Sequence, residues 1–325
     1  MAAAMITSCS NEDELSQSNY PSDNIIRVTA GVNNAKTRAE GAGTEMKKDF
    51  SLTIVNKNAP KYTYTDKVFS KSSGDWACSE TLLWQDDKTP VDIVAFAPAQ
   101  TGKFSGVCDN AGNIQSITYS VADDQSTKSD NNDLLYNYTP SFVPGGTNLD
   151  EKGRLSIQFN HAFCMIDINV TLGTEFNKPE VLKESPIVKV TLDGTKIAAN
   201  VDVKNAASVV TASGDATTIT TTKGSFTKAV DAEANADPEK NAISRFSCIA
   251  IPQKVEANTF KVSLMTAGKR YEWTSAESFE LKSGYRYTLN LSMGNDVVLL
   301  KGGSDNGGIT ATPWGNGTGG SLETE

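Results

Sequence analysis

The sequence predicts an all-β protein built as two β-sandwiches in tandem, and three observations carry that prediction. Apolar residues recur with a period of two along many short segments. Clusters of Gly, Asn and Asp punctuate those segments at short intervals. No amphipathic stripe of helical period and useful length interrupts them. At 325 residues the chain has room for two domains of ordinary size, each able to bury a core.

The opening residues 1–24 read as a leader and a tether. MAAAMITS is mildly apolar without a basic start, as expected for the tail of a signal peptide. Ile6-Thr7-Ser8 precedes Cys9 in the manner of a bacterial lipoprotein processing site, which makes Cys9 a candidate for acylation. Asn11 to Asn24, rich in Ser, Asn, Asp and Glu, is expected to be a solvated tether.

The first strand follows at once. Ile26, Val28, Ala30 and Val32 alternate with Arg27, Thr29 and Gly31, so the first set is expected to face a core. Thr37-Arg38-Ala39 behind it offers a trypsin-like cut between Arg38 and Ala39. A lipid site, a spacer, a strand and a cut in that order describe a precursor for export and assembly.

Further strands are legible along the chain. Phe50, Leu52 and Ile54 alternate with Ser51 and Thr53, and VDIVAFAP, ending at Pro98, is apolar enough to be buried on both faces. In residues 155–172 the apolar phase shifts: Leu155, Ile157, Phe159 and Phe163 are odd, whereas Ile166, Ile168, Val170 and Leu172 are even. A bulge near Cys164 and Met165 would reconcile them. The polar stretch from Gly173 to Glu184, with Pro179, marks the expected boundary, giving sandwiches over 25–175 and 176–325. A second series of strands ends in YRYTLNLSM, where Tyr285, Tyr287, Leu289, Leu291 and Met293 share a face. Residues 228–241 contain Pro238 and no apolar stripe, and read as a loop.

Composition excludes several functions. The net charge is -9 and no basic cluster exceeds Lys47-Lys48, so a nucleic-acid surface is excluded. No run of eighteen apolar residues could form a spanning helix. Beyond Cys9, the four cysteines Cys78, Cys108, Cys164 and Cys248 lack CxxC spacing, which disfavours zinc and redox chemistry; Cys164 and Cys248 are expected to be buried thiols.

Candidate chemistry is sparse. His161 shares the phase of Phe159 and Phe163, which suits a structural histidine, and no nucleophile motif accompanies it. The acidic loop 122–133 departs from calcium-loop spacing and carries Lys128, so it reads as solvated and no metal or cofactor is expected. The glycine pairs precede no helix and cradle no phosphate. Trp76, Trp84 and Trp273 offer either sugar-stacking faces or core packing. No catalytic constellation emerges.

Taken in order, the motifs resemble the fimbrillins of Bacteroidales, the type V pilins with their minor and tip subunits. The resemblance rests on Cys9 with SNEDE after it, VDIVAFAP following Trp84, DLLYN at 133–137, FNHAF at 159–163, IPQ at 251–253, LKSGYRYTLNL at 281–291 and ITATPW at 309–314. It implies two transthyretin-like Greek-key sandwiches in a non-enzymatic lipoprotein carried to the outer face of the outer membrane, with Glu12, Asp13 and Glu14 as an export address. It also implies that an Arg-specific surface protease cuts after Arg38 and removes the first strand. Another fimbrial subunit's C-terminal strand then fills the groove. Burial of Ile26, Val28 and Val32 is worth roughly 5 to 9 kcal/mol as an upper estimate, comparable with a domain's net stability of about 5 to 15 kcal/mol.

The candidate donor comprises Val297, Val298, Leu299 and Leu300, then Ile309 and Ala311. The tail GNGTGGSLETE after Trp314 is small and polar, unlike the apolar ending of a stalk donor, so the expectation is a minor or tip subunit. The alternative is a glycan-binding surface lipoprotein with a Trp-lined site; a secreted β-sandwich enzyme ranks last. A host or bacterial glycan or protein would be the receptor.

Overall fold

The computed structural model describes residues 18–33, 44–173, 176, 184–229, 240–294, 298–300 and 309–314. They are almost entirely strand, as the period-two pattern predicts. The first half carries β1 (Arg27–Val32), β2 (Thr44–Glu45), β3 (Phe50–Val55), β4 (Tyr64–Ser72), β5 (Asp75–Cys78), β6 (Val91–Ala97), β7 (Ile117–Ser120), β8 (Leu135–Phe142) and β9 (Arg154–His161). The second carries β10 (Cys164–Leu172), β11 (Ile187–Val201), β12 (Val210–Thr220), β13 (Thr222–Thr227), β14 (Ile243–Ala250), β15 (Gln253–Val255), β16 (Lys261–Thr266), β17 (Arg270–Thr274), β18 (Phe279–Leu281), β19 (Tyr285–Met293), β20 (Val298–Leu300) and β21 (Ile309–Pro313).

Eight strands of the first half form one sheet in the order β2-β1-β9-β8-β6-β3-β4-β5. The sheet curls over its own core: Phe50 on β3 meets Phe159 on β9 at 5.4 Å and Trp76 on β5 at 4.9 Å between ring centroids. Every residue of β6 is buried, as its unbroken apolar run requires.

The second half is a sandwich. One sheet runs β13-β14-β10-β19-β20 with β21 also on β19, and the facing sheet runs β12-β11-β16-β17. Ile166, Ile168, Leu289 and Leu291 from the first sheet meet Val190, Leu192, Val262 and Leu264 from the second in one core. A third apolar cluster lies between the halves, uniting Phe96, Phe104, Tyr119 and Phe163 with Ala199, Val201 and Ile251.

One expectation is corrected here. The phase shift in residues 155–172 is not a bulge within one strand: β9 ends at His161, β10 begins at Cys164, and each belongs to a different sheet. The chain passes from one sheet to the other through Ala162 and Phe163, both buried. The crossing is also mutual, since β7 pairs with β11 through Ile117↔Val201 to Ser120↔Ala198.

Candidate assembly site

Strand β1 forms because its alternating residues have a core on one side and two edges beside them. It pairs in parallel with β9 over six residues, from Arg27↔Arg154 to Val32↔Phe159, and antiparallel with the two-residue β2. Ile26, Val28 and Val32 are buried in the first core, whereas Ala30 is half-buried against it. Gly31 faces Gln158, whose side-chain oxygen would lie 2.9 Å from an added Cβ.

The approach to β1, exposed at Ser22, Asp23 and Asn24, is tied to the first half by hydrogen bonds. Asn19 donates its N–H to Gly146 O at 2.9 Å and its side-chain amide to Leu149 O at 3.0 Å. Ile26 donates to Leu82 O, and Trp84 donates to Asn24 O. Tyr20 packs on the first core, and burial, with Asp86 and Asp87 adding to it, pushes its phenol up to about 12. These contacts were hidden in the sequence because a polar segment bonded through its backbone carries no apolar period. Cys9, the acidic residues after it, Arg38 and Ala39 lie outside the described residues.

The candidate donor segment is docked on its own chain. β20 and β21 share one edge of β19, whose other edge is taken in parallel by β10. Leu291 pairs with Leu300 and Leu289 with Ile309, so neighbouring inward positions of β19 have partners nine residues apart. Val298 and Ile309 are buried in the second core. Ala311, expected to alternate inward with Ile309, is exposed, and Val297 lies outside the described residues.

Beyond β21, Trp314 donates its N–H to Gly284 O at 2.6 Å and lies flat on the His161 ring, 3.9 Å between centroids. His161 is buried, as its phase predicts, and its Nδ1 donates to Asp133 Oδ1 at 2.8 Å. Burial raises the Asp133 carboxyl, but the His161 hydrogen bond, its charge and Lys48 outweigh that and hold it below the usual carboxylate range. The Nε2 of His161 is buried and finds no hydrogen-bond partner among the described residues.

The remaining sequence candidates are structural. Trp84 is buried beside Phe142, Trp76 packs on Phe50 and Trp273 on Phe260, so a Trp-lined sugar site has no support there. Cys164 and Cys248 are buried free thiols, as expected. Within the acidic loop, Gln125 turns inward and clamps both backbone groups of Ile249. No group of His, Cys, Asp and Glu suited to a metal occurs among the described residues.

The chain is thus all-β, with its first strand built into one core between β2 and β9 and its last strands docked along one edge of β19. The fimbrillin-like family model matches residues 37–314, and the chain belongs to that family. It is a structural or adhesive subunit of a cell-surface fimbrium, assembles with other fimbrial subunits, and is not an enzyme. Its fold is that of a candidate cell adhesion protein from Bacteroides ovatus, with a TM-score of 0.60 at 15% identity, covering 89% of this chain and 97% of the other. A fimbrial protein from Bacteroides vulgatus gives 0.51 at 16% identity, covering 89% and 99%. The tip fimbrial protein Mfa3 from Porphyromonas gingivalis, with C-terminal truncation, gives 0.51 at 10% identity, also covering 89% and 99%. No curated protein matches the chain.

Proposed function

We propose that this chain is a minor or tip subunit with two transthyretin-like Greek-key domains, divided near residue 175, exported as an outer-membrane lipoprotein acylated at Cys9. Cleavage after Arg38 by an Arg-specific surface protease releases β1, and a neighbouring subunit donates a strand into the groove. The observation that carries this reading is the position of β1: six rungs on β9 and three buried apolar side chains, with Arg38 five residues past Asn33. Loss of that strand opens the β9 edge and an apolar groove, which an incoming strand satisfies through main-chain bonds and alternating pockets. The accessory role is supported by the docking of β20 and β21 on β19 of their own chain.

The test is limited digestion of the purified precursor with an Arg-specific protease, followed by N-terminal sequencing and sizing. The expected product begins at Ala39 and, once β1 has left, takes up an added peptide of the β1 sequence or a neighbouring subunit's C-terminal strand. A precursor that stays uncut, or a cut chain that takes up no strand after β1 has left, overturns the reading. Arg38→Ala blocks both steps and leaves the melting temperature unchanged.

A further inference from the structure

The end of the removable strand and the end of the C-terminal strand meet at one place. Asn33, the residue after β1, donates its N–H to Phe159 O at 2.8 Å and its side-chain amide to Asn160 Oδ1 at 2.9 Å. His161 is the next residue of β9, and Trp314 lies on its ring. Asn33, Tyr136, Asn160, His161, Gly284 and Trp314 line a single cleft of about 350 Å³.

We infer that this cleft is a latch: it holds the C-terminal strand shut through Trp314, and the first strand completes its wall, so departure of β1 loosens β21. The inference rests on the reading that β1 is removed during assembly.

The parts are suited to that role. Asp133, bridged to Lys48 at 3.4 Å, fixes the imidazole as a flat platform for the indole. The platform ends β9, which is an interior strand of its sheet only while β1 is present. With β1 gone, Asn33 goes too, the Phe159 carbonyl and the Asn160 side chain turn to water, and the cleft opens on that side. Water then reaches the unpartnered Nε2 of His161, a group whose burial opposes the closed form and whose hydration favours the open one. Release of Trp314 removes the contact that anchors β21 beyond Pro313, and the strand frays from Tyr285–Leu289 of β19. An uncut precursor is thereby kept from exposing both of its edges at once.

The test is amide hydrogen exchange on the whole chain, read separately at β9 and β21. Strand removal is made independent of Arg38 by placing a viral-protease site within residues 34–43. The uncut variants Asn33→Ala and Trp314→Ala are measured beside it. Trp314→Ala is expected to raise exchange in β21 roughly tenfold with β9 unchanged, and Asn33→Ala to raise it severalfold. The cut chain, once its β9 amides have lost protection, is expected to match Trp314→Ala. The inference is overturned if β21 keeps its protection after β9 has lost its own, or if Trp314→Ala leaves β21 unchanged. Should the cut strand remain docked, with β9 still protected, Asn33→Ala decides: unchanged exchange in β21 sinks the coupling. Because the engineered site bypasses Arg38, failure of natural maturation leaves this result intact.

Discussion

Asp133 and His161 show how a single buried pair is coupled to solution conditions. The Asp133 carboxyl is depressed in the folded chain, so its ionisation contributes stability above the ordinary carboxylate value of about 3.9. That contribution is lost as pH falls through the depressed folded value. Asp133→Asn is therefore expected to reduce the slope of unfolding free energy against pH, between about pH 2 and 5, by the equivalent of up to one proton. Chemical denaturation across that range measures it. The buried thiols give a second residue-scale test: burial pushes Cys248 up to about 12 and raises Cys164 further, with Cys248 beside it adding to the rise. Native-state alkylation followed by mass spectrometry should modify the half-exposed Cys78 and Cys108 and spare Cys164 and Cys248 until the chain unfolds. The burial of His161 and of both thiols was legible from strand phase. Their partners were not: Asp133 and Gln125 sit in polar loops, and a hydrogen bond closed across the fold leaves no period.

At the scale of elements, the parallel pairing of β1 with β9 makes the first strand integral to its core. Ile26→Ala in the uncut chain is expected to cost about 2 kcal/mol or more, read from the denaturation midpoint. A different element constraint lies at Gly194, where φ is +91° and an added Cβ would stand 2.2 Å from Thr259 O. Gly194→Ala should lower the melting temperature of the chain, since the contact is with backbone that cannot rotate away. Strands such as β6 and β19 could be read directly because burial imposes a pattern on consecutive residues. The break between β9 and β10 could not: a bulge and a change of sheet produce the same phase shift, and only pairing partners far along the chain distinguish them. For the same reason Val298 and Ile309 were recognisable as apolar candidates while their shared edge on β19 was not.

The whole molecule is tied together by more than its backbone. Strand β7 of the first half pairs on β11, the central apolar cluster draws on both halves, and Gln125 bonds Ile249 through N–H and C=O. The halves are accordingly expected to unfold in one cooperative transition. Gln125→Leu, which leaves the two buried backbone groups of Ile249 without their partner, should destabilise the chain by about 3 kcal/mol and separate the calorimetric trace into two steps. The crossing of β7 also has a mechanical meaning for a fibre component. Traction applied to one half reaches the other through four sheet rungs and a buried amide clamp as well as through the covalent chain. Under tension such a subunit behaves as a stiff rod rather than two beads on a string.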